Sequence, residues 1–97
     1  MWTGRKSITV PADTSEVASR PEPLVMYTLA VNELEVFAKS DNTSSIWIGN
    51  VDVSADPGYE AGVELAAGAS YRFDAIDVST VYIAGTTEGD AVTWNAF

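Results

Sequence analysis

Asp52, Asp56 and Glu60, in the stretch DVSADPGYE, are spaced close to the alternate positions from which a calcium-binding loop draws its oxygen ligands. The stretch departs from that pattern in three places. Pro57 stands where the sharp turn needs glycine, Gly58 comes one position late, and the twelfth residue counted from Asp52 is Val63 rather than a bidentate glutamate. The expectation is instead a turn at Asp56, Pro57 and Gly58, in which proline fixes one φ and glycine frees the next, and no metal is expected. Fourteen carboxylates could hold an acid/base pair, but spacing along a β chain does not select one. There is no histidine and no cysteine, which excludes the usual nucleophilic triads, thiolate metal sites and disulfides. Lys6 and Lys39 lie in no motif that would activate a serine, and no glycine-rich phosphate loop is present. The expectation is a protein that is not an enzyme and carries no cofactor.

The formal charge of -9 disfavours nucleic acid as a partner, because phosphate binding needs clustered Lys and Arg. The charge is unevenly spread. Residues 1–20 hold Arg5, Lys6 and Arg20 against Asp13 and Glu16, a net +1, while residues 21–97 hold Lys39 and Arg72 against twelve carboxylates, a net -10. One reading is a solvated acidic surface that keeps a small protein soluble; the other is an acidic body carrying an arm of different charge. No stretch approaches the roughly 20 apolar residues that span a membrane, and MWTGRKSITV lacks the apolar run of a signal peptide. The expected compartment is reducing cytosol, with no membrane partner.

These residues must be held by short strands. In GVELAAGASYRFDAIDVSTVYIAG, residues 62–85, Val63 and Leu65, Tyr71 and Phe73, and Val81 and Ile83 alternate with polar or small neighbours, the period of two of half-buried strands. Gly68 separates the first two runs. IWIGN places Ile46 and Ile48 on one face and Trp47 on the other, a strand that can extend through Val53, and AVTWNAF ends the chain with Val92 and Trp94 on one face. SDNTSS at 40–45 and TTEGD at 86–90 read as polar loops. Leu24–Lys39 is ambiguous, since Tyr27, Ala30, Val31, Leu34, Phe37 and Ala38 would also line one face of a helix. The alternation of Val25 to Val31 and of Leu34 to Ala38 around Asn32 and Glu33 is taken as a hairpin. Residues 1–23 contain one candidate strand, Ser7–Val10, then Pro11, the polar run DTSE and the proline-rich SRPEP, and read as an extended N-terminal arm and linker ahead of a domain at 24–97. Seven or eight strands with a turn every ten or so residues point to an all-β fold, an antiparallel β-sandwich that is jelly-roll-like, with that extended N-terminal arm.

SSIWIGN at 44–50 and STVYIAG at 79–85 share one grammar and are candidate sheet neighbours, with Trp47 and Tyr82 on the face away from the core. Aromatic side chains there ask for cover by a subunit interface, a loop of the same chain, or a sugar. Trp94, Trp47 and Tyr82 are the candidate subunit contacts, each of which could equally serve in the core or as sheet cover. Trp2 is a large indole in a tail, which either packs on its own domain or seeks a pocket elsewhere.

The series IWIGN, VDVS, GVELAAGASYRF, STVYIAG and GDAVTW, over about residues 45–95, resembles a recurrent pattern of strands and turns in small β-sandwich virion proteins of phages. That group includes capsid decoration or cement proteins, head fibres and tail accessories. The resemblance implies a non-enzymatic protein on the capsid exterior, made in the host cytoplasm, that binds the major capsid protein and neighbouring copies of itself as a homotrimer through an extended terminus. Residues before Leu24 fall outside the pattern. On this reading Trp2, Arg5, Lys6, Ile8, Val10 and Arg20 are the expected capsid contacts. The alternatives are a tail or head-fibre component and a carbohydrate-binding module that offers Trp47, Tyr59 or Tyr82 to a sugar.

Overall fold

The alternating segments become eight strands in the computed structural model, which describes residues 1–11 and 17–97. The strands are β1 (Trp2–Ser7), β2 (Glu22–Pro23), β3 (Ala30–Ala38), β4 (Ile46–Gly49), β5 (Val63–Leu65), β6 (Ser70–Asp77), β7 (Tyr82–Gly85) and β8 (Ala91–Ala96). One 3-10 turn, Val78–Thr80, separates β6 from β7. Two four-stranded antiparallel sheets, ordered β1-β8-β3-β6 and β2-β7-β4-β5, pack face to face, so the expected all-β antiparallel sandwich is the fold.

Each strand turns one set of alternate side chains inward. Leu34, Val36 and Ala38 of β3 and Val92, Trp94 and Ala96 of β8 meet Ile46, Ile48, Leu65 and Ile83 of the second sheet in one buried cluster. Burying each large aliphatic side chain stabilises the fold by roughly 1.5–3 kcal/mol before chain entropy is set against it. The outward face of the first sheet carries Thr3, Arg5, Glu33, Glu35, Arg72 and Asp74 and stays wet, which accounts for the alternation.

Four local expectations change. The segment read as a hairpin over Leu24–Lys39 is one strand, β3, preceded by an irregular stretch: Asn32 and Glu33 stay extended, and the N–H groups of both donate to the Phe97 carbonyl (2.7 and 3.2 Å). A ladder to β6 on one side and β8 on the other offers these residues more hydrogen bonds than folding back on Val25–Leu29 would. Residues 1–23, read as an arm and linker, supply the edge strands of both sheets. β1 pairs with β8 over its whole length and β2 pairs with β7. The strand expected at Ser7–Val10 lies earlier, at Trp2–Ser7, while Ile8 (2% exposed) enters the core. The polar run DTSE at 13–16 lies outside the described residues. β4 stops at Gly49 rather than continuing to Val53, because Asn50 turns the chain with its side chain accepting from Asp52 N–H (2.9 Å) and its carbonyl accepting from Val53 N–H (3.0 Å).

Other expectations hold. IWIG and YIAG are neighbours, with Ile48 opposite Ile83 and Trp47 opposite Ala84. Asp56, Pro57 and Gly58 form a turn closed by Tyr59 N–H to the Asp56 carbonyl (2.9 Å), with Gly58 at φ +84, the conformation glycine adopts without strain.

Two clamps hold the loops that close the sandwich. The Asp90 carboxylate, 6% exposed, accepts from Thr43 N–H and Ser44 N–H, one on each oxygen at 2.9 Å. Beside it the Asn42 amide donates to the Ala91 carbonyl and accepts from Ala91 N–H, so a side chain imitates a ladder pair. At the other end of the core, Asp77 caps the 3-10 turn: its carboxylate accepts from the Ser79 amide and hydroxyl and from Leu29 N–H. These bonds, led by that of Leu29 and followed by those of Ser79, hold the carboxyl below the usual aspartate range. A folded pKa below the unfolded one makes the contribution complete at neutral pH and loses it as pH falls through the aspartate range toward the folded value. Stability is therefore expected to fall on acidification through and below the ordinary aspartate range, and Asp77→Asn is expected to lower stability at neutral pH while flattening that acid limb. Urea midpoints across the interval measure it; parallel acid limbs for the two proteins would contradict the assignment.

Candidate functional site

The residues expected to act together are sorted by the two sheets into three environments. Trp2 (55% exposed) and Arg5 lie on the free edge formed by β1, Trp2 on the core side of the strand and Arg5 on its outer side. Lys6, also on the core side, is half-buried and reaches Glu22 of β2 at 3.6 Å, tying the edges of the two sheets together. Arg20 is exposed beside a small cleft of about 160 Å³ that also includes Ser54 and Asp56. These four remain available at the surface to different degrees.

Two of the proposed contacts do not. Ile8 is buried against Gly85, and its N–H donates to the Asp90 carbonyl at 2.7 Å, so it belongs to the core rather than to a capsid contact. Val10 is partly buried against the same core, with its N–H donating to Glu88 at 2.8 Å. The alternation ITV carried the signal for Ile8, since a β-branched residue flanked by polar ones marks a strand face as readily as it marks a docking arm.

Trp94 is 3% exposed and forms part of the core, which corrects its assignment as a subunit contact. Its indole lies across Gly4 of β1, where a Cβ would meet the ring at 2.4 Å. Trp47 and Tyr82 do share the outward face of the second sheet. They pack there against Ala84, Ala18, Val53 and Ala55, a second apolar cluster laid over that sheet by loops of the same chain. Ser19 anchors this cover: its N–H donates to the Gly85 carbonyl (2.8 Å) and its hydroxyl accepts from Gly85 N–H (2.9 Å). Of the three kinds of cover that aromatic side chains on this face ask for, a loop of the chain itself supplies a large part.

The opposite edge of the sandwich is open. Between β5 and β6 lies a cleft of about 260 Å³ lined by Val63, Tyr71 and Phe73, with the buried Ile48 and Val53 beneath and Asp52 at its rim. Tyr71 and Phe73 stand edge to face with ring centres 4.9 Å apart, and Tyr71 is 39% exposed. Sequence reading placed Tyr71 and Phe73 on a strand face but had no means of placing that strand at a free edge. On the outer side of β6, Arg72 donates to and pairs with Glu33, and that hydrogen bond, followed by the Glu33 charge, raises the guanidinium pKa.

Among the described residues, no three His, Cys, Asp or Glu side chains converge as a metal-ligating group. In the Asp52–Glu60 stretch, the Glu60 carboxylate is turned inward on the loop and accepts from Gly58 N–H at 3.1 Å. Among the described residues no helix is long and apolar enough to cross a membrane. What this arrangement offers chemically is association: one strand edge with exposed indole and guanidinium, one open apolar cleft with Asp52 at its rim, the wet charged outer face of the first sheet, and the largely covered outer face of the second. No protein-family model, curated protein or solved structure matches the chain.

Proposed function

We propose that this chain is a non-enzymatic capsid decoration protein of a phage, which binds the outer surface of the major capsid protein shell and stabilises it, working beside neighbouring copies of itself as a homotrimer. The observation that carries the reading is the strand pairing. β1 lies beside β8, β2 beside β7, β3 beside β6 and β4 beside β5, the pattern produced when one long eight-stranded hairpin is rolled into two sheets. We read this as a jelly roll, an architecture frequent in capsid proteins and also in lectins. The link from architecture to function is an analogy of fold, and the charge pattern adds to it. Arg5 and Trp2 on an exposed edge of an otherwise acidic body suit an anionic, partly apolar docking surface.

The lectin branch of the same architecture is less well supported, because Trp47 and Tyr82 are half-covered by the chain's own loops and Tyr59 stands alone. The docking residues on this reading are Trp2, Arg5, Lys6 and Arg20, without Ile8 and Val10. Deleting residues 1–20 is a poor test, since it removes β1 and opens the core. The informative experiment weighs the chain against the major capsid protein in purified virions by quantitative mass spectrometry, then measures binding of Trp2→Ser and Arg5→Glu variants to capsids lacking the chain. Copy number near that of the capsid subunit and loss of binding in both variants are expected. A handful of copies per virion, or none, would overturn the decoration reading.

A further inference from the structure

We infer that copies of this chain associate head to tail along their sheet edges, with the β1 edge of one copy laid on the β6 edge of the next and its Trp2 over the cleft beside Tyr71 and Phe73. The contact differs from the interface expected at Trp47, Tyr82 and Trp94; it rests on the homo-oligomeric part of the reading above. In the assembled copies it gives the β1 backbone edge and Trp2 to the neighbouring copy, leaving capsid contact to Arg20 and to Arg5 on the outer face of the sheet.

The first sheet ends in β1 on one side and β6 on the other, and among the described residues neither outer edge is paired. An unpaired edge presents a row of N–H and C=O groups that another strand can satisfy, and folds usually guard such an edge with proline, charge or a bulge. In β6 the guard is Ala75, at φ +47, a left-handed conformation unusual for a residue with a Cβ. It interrupts the extended backbone near one end of the strand and leaves Ser70–Asp74 as a regular edge, close in length to the six residues of β1.

Direction and facing agree. β1 is antiparallel to β8, β8 to β3, and β3 to β6, so β1 and β6 of one copy run in opposite directions. A second copy set alongside without being turned over adds its β1 antiparallel to β6, and the core sides of the two sheets remain continuous. On those core sides stand Trp2 of β1 and the half-exposed pair Tyr71 and Phe73 of β6, which open into the cleft of about 260 Å³. The cleft is large enough for an aromatic side chain, and stacked or edge-to-face rings add to the area buried.

The charges select this partner over another. The charged residues of β1 are Arg5 and Lys6, both cationic, whereas the outer face beside the β6 edge carries Glu33, Glu35 and Asp74 against the cation Arg72, with Asp52 in the cleft and Glu64 on the adjacent β5. Two copies of a chain with net charge -9 repel each other on most of their surfaces, so contact is favoured where a cationic edge meets an anionic one. A head-to-tail contact of this kind closes into a ring when its rotation allows, which is how a cyclic assembly such as a trimer is built.

The test uses free protein, so that its failure leaves the capsid experiment standing. The chain has no cysteine, so Thr3→Cys and Ser70→Cys variants, mixed and treated with a short bis-maleimide, report which edges meet. The expected result is a mixed Thr3→Cys/Ser70→Cys dimer in excess over either self-linked dimer. Sedimentation equilibrium should give a mass above the monomer that is lost in Trp2→Ser and Arg5→Glu proteins with unchanged unfolding midpoints. A monomer at every concentration up to the solubility limit, or linkage dominated by Thr3→Cys with itself, would overturn the inference.

Discussion

Replacing Trp94 with alanine is expected to lower the stability of the fold by about 3–5 kcal/mol, the range for truncating a buried tryptophan. The side chain is 3% exposed, lies on the core face of β8 between Val92 and Ala96, and fills the space above Gly4 of the neighbouring strand. Gly4 is part of the same device. Its backbone forms the floor on which the indole rests, and a Cβ there would lie 2.4 Å from the ring carbon Cε2. Gly4→Ala is therefore expected to cost about 1–3 kcal/mol through overpacking. The two effects should not add. Trp94→Phe removes Cζ2, one of the three ring atoms nearest the new Cβ, and it also removes Nε1, a buried donor without a hydrogen-bond partner among the described residues. Trp94→Phe alone should be tolerated at less than about 2 kcal/mol, and combined with Gly4→Ala it should recover part of the alanine's cost. Urea unfolding of the four proteins measures the coupling. Strict additivity would mean that the indole and Gly4 do not meet as described.

The second large effect lies at Asp90. Asp90→Ala is expected to destabilise by about 1.5–3 kcal/mol, because two charge-assisted hydrogen bonds disappear and the Thr43 and Ser44 N–H groups lose their acceptors. Asp90→Asn keeps one acceptor oxygen but turns an NH2 group toward the other N–H, so it should restore less than half of the loss. The loop 86–91 is where distant parts of the chain converge. It also receives Ile8 N–H on the Asp90 carbonyl, Val10 N–H on Glu88, and the Asn42 side chain on Ala91. Hydrogen exchange should therefore report the loss over residues 40–45 first and at the end of β1 next, with β4 and β7 unaffected until global unfolding. Uniform loss of protection across all eight strands would contradict a local clamp.

Strands whose pattern is self-contained were readable from the sequence. Ile46 and Ile48, Tyr71 and Phe73, and Val92 and Trp94 alternate with polar or small neighbours whatever they pack against, and the turn at Asp56–Gly58 follows from the φ preferences of proline and glycine. Shared grammar was enough to pair IWIG with YIAG. The hairpin at Leu24–Lys39 was misread because Asn32 and Glu33 have the composition of a turn while their backbone is held straight by β6, β8 and the Phe97 carbonyl, partners 40 or more residues away. Ile8 and Trp94 were read as contacts for other molecules for a related reason. An apolar side chain has the same affinity for any dry surface, and only the folded chain specifies which surface is nearest.

The sequence by itself determined an all-β chain without histidine or cysteine chemistry, with its cations gathered near one end and its acid elsewhere, since these depend on residue type and local period alone. The tertiary structure decided which strands became edges, that Trp47 and Tyr82 lie under the chain's own loops, and that the basic segment is a strand of the sandwich rather than an arm. Those outcomes depend on pairings between residues far apart in the chain, whose hydrogen bonds and burial outweigh local preference and leave no trace in any short window of sequence.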